Sequence, residues 1–168
     1  MLHKVDILGL ALDPDSKTPI LVLKTVDTQE TIPIWIGLLE ATAIASALQE
    51  VQFERPMTHD LFKNFITMMH VDVERIEVCD LKENTFYARL YFASGDNEFS
   101  IDSRPSDAVA IAVRFNAPVF VDEKVIAALR PGGVAAKNYE VKDKSEEGKK
   151  WAEYLAGLSP DDFGKYKV

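Results

Sequence analysis

The apolar positions of this chain fall first into three short runs, 3–12, 19–26 and 30–36. Asp13-Pro14-Asp15-Ser16 and Asp27-Thr28-Gln29 separate them with residues that turn a chain: proline fixes φ, and Asp and Ser side chains hydrogen-bond nearby backbone. Three strands with connections this short predict an antiparallel meander. After Gly37 the period changes. Residues 38–51 are nearly all apolar, with Thr42, Ser46, Gln49 and Glu50 on one narrow arc of a helical wheel. Such a helix is expected to be buried on most sides, in the core or against a second subunit. Glu40 falls in the apolar arc, beside Ile44, Ala47 and Val51.

A second helix is predicted over 58–70. Leu61, Phe62, Phe65, Ile66, Met68 and Met69 form its expected buried stripe, and His59, Asp60, Lys63, Asn64, Thr67 and His70 its polar face. Residues 71–81 alternate again, and the break in phase near Arg75 predicts a β-bulge. The turn Glu83-Asn84 leads into 85–93, and the turn at 94–97 into a strand over 98–102, so a second meander is expected. A third helix follows over 105–115, polar only along Ser106, Asp107, Ala110 and Arg114. A strand at 117–121, a small helix from 122 and Pro131-Gly132-Gly133 close the body. Residues 142–150 read as a solvated linker or a frayed helix start, followed by an amphipathic turn or two with Trp151, Tyr154, Leu155 and Leu158. The pattern predicts an α+β protein: antiparallel meanders packed with three main helices, plus a short C-terminal helical tail. The division expected is a domain over 1–140 and a linker with tail over 141–168.

Composition narrows the partners. A chain of 168 residues suits one domain with a real core. Its formal charge is -8, and residues 141–168 hold six lysines and six acidic residues, so the whole imbalance lies in residues 1–140. Such a body repels free nucleic acid unless a metal ion or a local basic patch intervenes. Cys79 is the only cysteine, which excludes an intrachain disulfide framework and a cysteine metal cluster. No apolar run is long enough to span a bilayer, and the start Met-Leu-His-Lys-Val-Asp lacks a secretory pattern. The expectation is a cytoplasmic protein with no membrane partner.

No phosphate loop, dinucleotide fingerprint, zinc spacing or serine elbow appears, so any chemistry falls to carboxylates, His59 and arginines. Two stretches share a pattern: Arg55-Pro56-Met57-Thr58-His59-Asp60 and Ser103-Arg104-Pro105-Ser106-Asp107. Proline disfavours the helical basin for the residue before it, which puts each arginine on a bend. Thr58 and Ser106 are the expected N-caps, with Asp60 and Asp107 in the first turn. If the bends faced each other, with Asp102 ahead of Arg104, carboxylates and guanidiniums would surround one pocket. Paired carboxylates hold a divalent ion and position a water, and arginines clamp phosphate. The alternative is an internal salt-bridge network that locks the bends. For Glu40, a metal ligand or base stands against a capping-box residue at N3 with Gly37 as N-cap. For His59-Asp60, a shared ion or proton relay stands against a capped surface turn, because neighbours on a helix point about 100° apart.

Ile32-Pro33-Ile34-Trp35-Ile36-Gly37 with Glu40, Arg55-Pro56-Met57-Thr58-His59-Asp60-Leu61, Asn84-Thr85-Phe86-Tyr87-Ala88, Ile101-Asp102-Ser103-Arg104-Pro105-Ser106-Asp107-Ala108 and Ala117-Pro118-Val119-Phe120 occur in this order. The combination resembles the bifunctional nuclease domain family over most of the body, and Asp162-Phe163-Gly164-Lys165-Tyr166 is similar to an extension of some bacterial members. The resemblance implies an α+β fold, a homo-oligomer, and cleavage of DNA and RNA, a label that rests on plant members. It brings no catalytic constellation with it. The leading expectation is a phosphodiester hydrolase dependent on Mg2+ or Mn2+. Asp102, Asp107 and Glu40 are its expected metal ligands, Glu40 and Asp107 its bases, His59 its proton carrier, and Arg55 and Arg104 its phosphate-binding residues. The rival is a non-catalytic homo-oligomeric binding module built on the alanine-rich helix and the aromatic tail. A third reading is a small-anion sensor using the arginines and helix N-termini.

Overall fold

The computed structural model describes residues 1–14 and 16–130. The expectations for Pro131-Gly132-Gly133, the linker and the tail fall outside the described residues. In chain order the elements are β1 (Leu2–Leu12), β2 (Pro19–Thr25), β3 (Thr31–Trp35), α1 (Leu38–Leu48), α2 (Thr58–Met68), β4 (Asp72–Lys82), β5 (Thr85–Ser94), β6 (Asn97–Ser103), α3 (Pro105–Phe115), β7 (Val119–Asp122) and α4 (Glu123–Leu129).

Both meanders form by antiparallel pairing, β1-β2-β3 and β4-β5-β6. The bulge expected near Arg75 is present between Val73 and Arg75, and a second irregularity lies between Val78 and Asp80. The two meanders are one sheet. α3 carries the chain back from β6, and β7 inserts between β1 and β4, antiparallel to the first and parallel to the second. The order is β3-β2-β1-β7-β4-β5-β6. The fold is α+β, with a mixed seven-stranded sheet among the described residues.

α3 is the helical centre. It packs on α1, α2, β4 and β5, and Ala108 through Ala112 are all buried. Ala110, expected on the polar side, belongs to this buried run. Neighbours on several sides leave a five-residue stretch no solvent face, and the three alanines in it let adjacent backbones approach closely. α1 buries Ala41, Ile44, Ala45 and Ser46, and the Ser46 hydroxyl is satisfied by donating to the Ala43 carbonyl at 3.1 Å. The opposite side of α1 is open, with Leu39 77% exposed, so the described residues do not enclose this apolar helix.

α1, α2 and α3 close in the same way. A residue in the left-handed region follows each (Glu50, His70 and Asn116), and the next N–H reaches back to a carbonyl five residues earlier: Val51 to Ser46, Val71 to Ile66, and Ala117 to Ala112. This closure satisfies terminal carbonyls and folds an apolar residue back on the helix. It also explains why the apolar period overran the ends of α1 and α2: Val51 continues the pattern but belongs to the closing motif.

α2 is turned opposite to expectation. Ile66 is buried and Phe62 is partly so, but Leu61, Phe65, Met68 and Met69 are 60%, 55%, 77% and 57% exposed. The polar side meets the body instead, where His59, Asp60 and Lys63 all bond to α3. Periodicity identifies two faces of a helix, and the three polar bonds decide which of them faces the chain.

Candidate active site

The repeated arginine-proline pattern produces two different corners. In the second, Pro105 occupies the first helical position, so the N-cap of α3 is Arg104 (φ -70, ψ 145) and not Ser106, which is buried. Proline at N1 is pre-organised for a helix start and forces the residue before it into the extended basin. Asp107 is then at N3, one turn beyond Arg104, and Arg104 Nε donates to Asp107 Oδ2 at 2.7 Å. In the first corner one residue, Met57, separates Pro56 from the helix. Met57 is the N-cap and Thr58 is already helical. Asp60 is again at N3 and accepts from the Met57 N–H at 3.1 Å, but Arg55 lies too far upstream to serve it. Asp60 is served by Arg114 from the end of α3, Nε to Oδ1 at 2.6 Å.

Arg104 joins three segments. Its Nη1 donates to Glu40 Oε1 at 2.8 Å, across 64 residues of chain. Glu40 sits at N3 of α1, with Gly37 as the N-cap, and its carboxylate lies directly on Gly37: a β-carbon there would collide with Oε2. Asp107 has a second contact, Oδ1 to His59 Nε2 at 3.1 Å, from the first turn of α2. His59 is therefore not a wet surface residue. Its side chain is 17% exposed. Glu40, Arg104, Asp107 and His59 make one continuous chain of charged hydrogen bonds among α1, α2 and α3.

Burial would raise the Asp107 carboxyl pKa, but hydrogen bonds from Arg104 and His59 outweigh it and hold the group below the usual carboxylate range. The Arg104 guanidinium is correspondingly raised, first by its bond to Asp107 and also by Glu40. An ionised Asp107 only accepts, so a neutral His59 carries its proton on Nε2 and keeps a lone pair on Nδ1. A cleft of about 260 Å³ opens beside Arg104, lined by residues 34–37, Glu40, Asn84-Thr85-Phe86 and Arg104-Pro105-Ser106. Four separated sequence motifs thus contribute to one cleft and the cluster at its edge. Asn84 is placed there by the two-residue turn between β4 and β5, where Glu83 and Asn84 both have positive φ.

Two expected site residues are elsewhere. Asp102 is exposed on β6 opposite Arg89, while its neighbour Ile101 is paired with the buried Leu90. Successive strand residues point to opposite faces, so Asp102 faces away from the core side and from the cluster. The three-carboxylate set Glu40, Asp102 and Asp107 is not assembled. Among the described residues no group of three or more His, Cys, Asp or Glu side chains is placed to hold a metal ion. Glu40 and Asp107 meet through the Arg104 guanidinium, which takes the place a divalent cation would need, and this donor set does not fit such an ion. Arg55 lines a different and larger cavity of about 740 Å³, with Asp60, Lys63 and Arg114 among its walls. The two arginine corners therefore do not share one pocket. Size alone would favour the larger cavity, but the cleft beside Arg104 is where the motif segments converge. Among the described residues no helix is long and apolar enough to cross a membrane.

Sequence reasoning had no means of finding Arg114. Its side chain is 6% exposed, donates to the carbonyls of Ala43 and Ala110 at 2.9 Å, and anchors α2 through Asp60. An arginine near a helix C-terminus reads as an ordinary partner of the helix dipole.

The family model of the Bifunctional nuclease domain matches residues 21–130, a span that contains all four residues of the cluster. An uncharacterized protein of Mycobacterium tuberculosis is 36% identical over 162 residues, covering 95% of this chain and 97% of that protein. Bifunctional nuclease 1 of Oryza sativa is 28% identical over 109 residues, which is 62% of this chain and 33% of that one. Bifunctional nuclease 2 of Arabidopsis thaliana is 32% identical over 107 residues, 61% of this chain and 32% of that one. The matches to these plant proteins span about a third of their length. With a family match over most of its length and a full-length bacterial relative, the chain belongs to the bifunctional nuclease domain family.

Proposed function

We propose that the chain hydrolyses phosphodiester bonds of DNA or RNA at the cluster of Glu40, His59, Arg104 and Asp107. One observation carries this reading: residues from separate motifs meet at a single guanidinium on the edge of a cleft. Arg104 uses Nε and Nη1 on its two carboxylates, and its Nη2 makes no hydrogen bond among the described residues. That nitrogen is the group for a substrate phosphate oxygen. Asp107 holds the His59 ring, whose Nδ1 accepts a proton from the attacking water. The water oxygen bonds to phosphorus, the bond to the leaving sugar oxygen breaks, and the imidazolium returns its proton to that oxygen. Glu40 fixes the far side of the guanidinium.

Because the donor set is organised around Arg104, no step is assigned to a divalent ion, and dependence on Mg2+ or Mn2+ is decided by measurement. The test is cleavage of a labelled oligonucleotide by the purified chain in EDTA, then with each metal added. Activity that disappears in Asp107→Asn while the folded state survives supports the assignment. Equal activity in the variant preparation points to a contaminant and removes it.

The second reading, a non-catalytic homo-oligomeric binding module, is favoured by the exposed apolar side of α2. In that reading the charged cluster ties three helices together and a second copy covers Leu61, Phe65 and Met68.

A further inference from the structure

The walls of the cleft beside Arg104 carry information about what fits there. Trp35 and Phe86 are aromatic, Asn84 and Thr85 offer amide and hydroxyl groups, and Glu40 and Arg104 are its charged residues. The Trp35 ring is held by its N–H, which donates to Asp13 Oδ2 at 3.1 Å. Asn84 stands exposed at the tip of the β4–β5 turn, with a left-handed backbone (φ 59). Aromatic surfaces take a nucleobase by stacking, and a carboxamide reads its edge. The guanidinium at the edge supplies one phosphate contact.

Size and charge then limit the ligand. The cleft holds about 260 Å³, just below the roughly 300–1,000 Å³ of pockets that enclose a drug-sized molecule. It has room for one base with part of its sugar and none for a base pair. A long strand also needs a track of basic groups along its backbone. This chain lacks an evident one among its described residues. Arg75, Lys82, Arg114, Lys124 and Arg130 are each paired with a carboxylate, Arg55 and Lys63 lie at the other cavity, and Lys4, Lys17, Lys24 and Arg89 do not line this cleft. Every phosphate beyond the first meets a chain of net charge -8.

We propose that this cleft takes one nucleotide unit at a time, and that the preferred ligand is a short phosphodiester, a dinucleotide, rather than a long strand. The inference rests on the nuclease reading for the identity of the bond cut, but it is tested by binding as well as by cleavage.

The probes are an unmodified dinucleotide and a single strand of about twenty nucleotides, each titrated into the full-length chain from about 50 to 200 mM salt. Binding is read by equilibrium dialysis and cleavage by product analysis. One phosphate contact gives a slope of log affinity against log salt of about -0.7. The expected result is a dinucleotide bound more tightly than one site on the strand, with that shallow slope for the dinucleotide. Asn84→Ala and Phe86→Ala each weaken dinucleotide binding about tenfold. Phe86 also packs against the core, so the exposed Asn84 is the variant that decides if Phe86→Ala does not fold. A strand that is bound and cut while the dinucleotide is not, or a slope of about -3 or steeper, overturns the inference and leaves the nuclease reading standing. Dinucleotide binding without cleavage of either probe does the reverse: the nuclease reading fails and the nucleotide cleft remains. Failure to bind either probe overturns the inference whatever the assignment of the reaction.

Discussion

His59 and Asp107, 48 residues apart in the chain, meet at 3.1 Å between Nε2 and Oδ1. Asp107 is the residue on which His59 and Arg104 both depend, since its other oxygen accepts from Arg104 Nε at 2.7 Å. Asp107→Asn keeps the shape but replaces one acceptor with a donor, so it breaks one bond and weakens the other. Under the nuclease reading kcat falls by about a hundredfold or more, with a smaller change in KM, and stability falls by about 1–3 kcal/mol. Asp102→Asn, on the other face of β6, changes stability by no more than about 0.5 kcal/mol and leaves kcat unchanged. Steady-state kinetics of both variants beside their denaturation curves separate the two aspartates. A loss of activity in Asp102→Asn equal to that in Asp107→Asn would contradict this site.

Gly37→Ala tests the site from its opposite end. The backbone of Gly37 has an ordinary negative φ of -75, so a side chain meets no conformational barrier there. The obstacle is the Glu40 carboxylate lying on it. An added methyl group forces Glu40 off Gly37, and with it the Glu40–Arg104 bond. The clash is with the far end of a flexible side chain, so the expected outcome is a destabilisation of about 1 kcal/mol or less, with no further loss when Gly37→Ala is added to Glu40→Ala because the colliding group has gone. Chemical denaturation of the two singles and the double measures that coupling. Additive losses would show that the methyl group strains something other than Glu40.

The strands, both meanders, the bulge near Arg75 and the limits of α3 were legible because each rests on local alternation or on a proline. The placement of β7 was not, since the apolar residues of 117–121 fit any position in a sheet and only the return path of α3 selects the gap between β1 and β4. The cluster was legible in part. Glu40, His59, Arg104 and Asp107 stood out as charged residues at helix starts, and the spacing Arg-Pro-Ser-Asp holds the geometry that makes Arg104 an N-cap. The likeness of the two arginine corners was misleading. Two extra residues between Pro56 and Asp60 are enough to send Arg55 to another cavity. Asp102 misled for a simpler reason: proximity in sequence to Arg104 says nothing about which face of β6 it occupies.

The N-terminal strand carries a pH-dependent clamp separate from the site. His3 is buried, with Nδ1 2.6 Å from Asp27 Oδ2 and Nε2 2.6 Å from Glu123 Oε2, the second contact lying off the line of a hydrogen bond. Arg130 reaches both Glu123 and Glu30 in the same network. The bond to Asp27 is the main cause that raises the His3 pKa; burial opposes it, and Glu123 adds to the rise. A folded pKa above the unfolded value means that protonation favours the folded state. The contribution is complete below about pH 6.5 and is lost as pH rises through the folded pKa. Asp27 shifts the other way, held low first by the same bond to His3, so its share is lost only in acid. Thermal midpoints are expected to fall as pH rises from 6.5 into the alkaline range, and His3→Gln is expected to flatten that slope. An unchanged slope in the variant would assign the pH dependence to other groups.

The exposed side of α2 predicts an assembly state. Met57, Leu61, Phe65 and Met69 recur every four residues, with Met68 beside them, and all are at least 40% exposed. Leu61 and Met69 lie four residues on either side of Phe65. Two copies of α2 packed antiparallel on a two-fold axis at Phe65 would set Leu61 of one against Met69 of the other. The helix positions Thr58, Asn64 and Thr67 are uncharged, which lessens the repulsion between two chains of net charge -8 at this face. Sedimentation or light scattering of the native chain is expected to give a dimer or a higher multiple of 18.8 kDa. Phe65→Glu places like charges at the axis and is expected to shift that mass to the monomer with the circular dichroism spectrum kept. His59 on the same helix points inward to Asp107, so the monomeric variant also separates the two functional readings. Cleavage that survives dissociation belongs to the four-residue cluster of a single chain, whereas a native chain that is already monomeric would leave the binding-module reading without its main support.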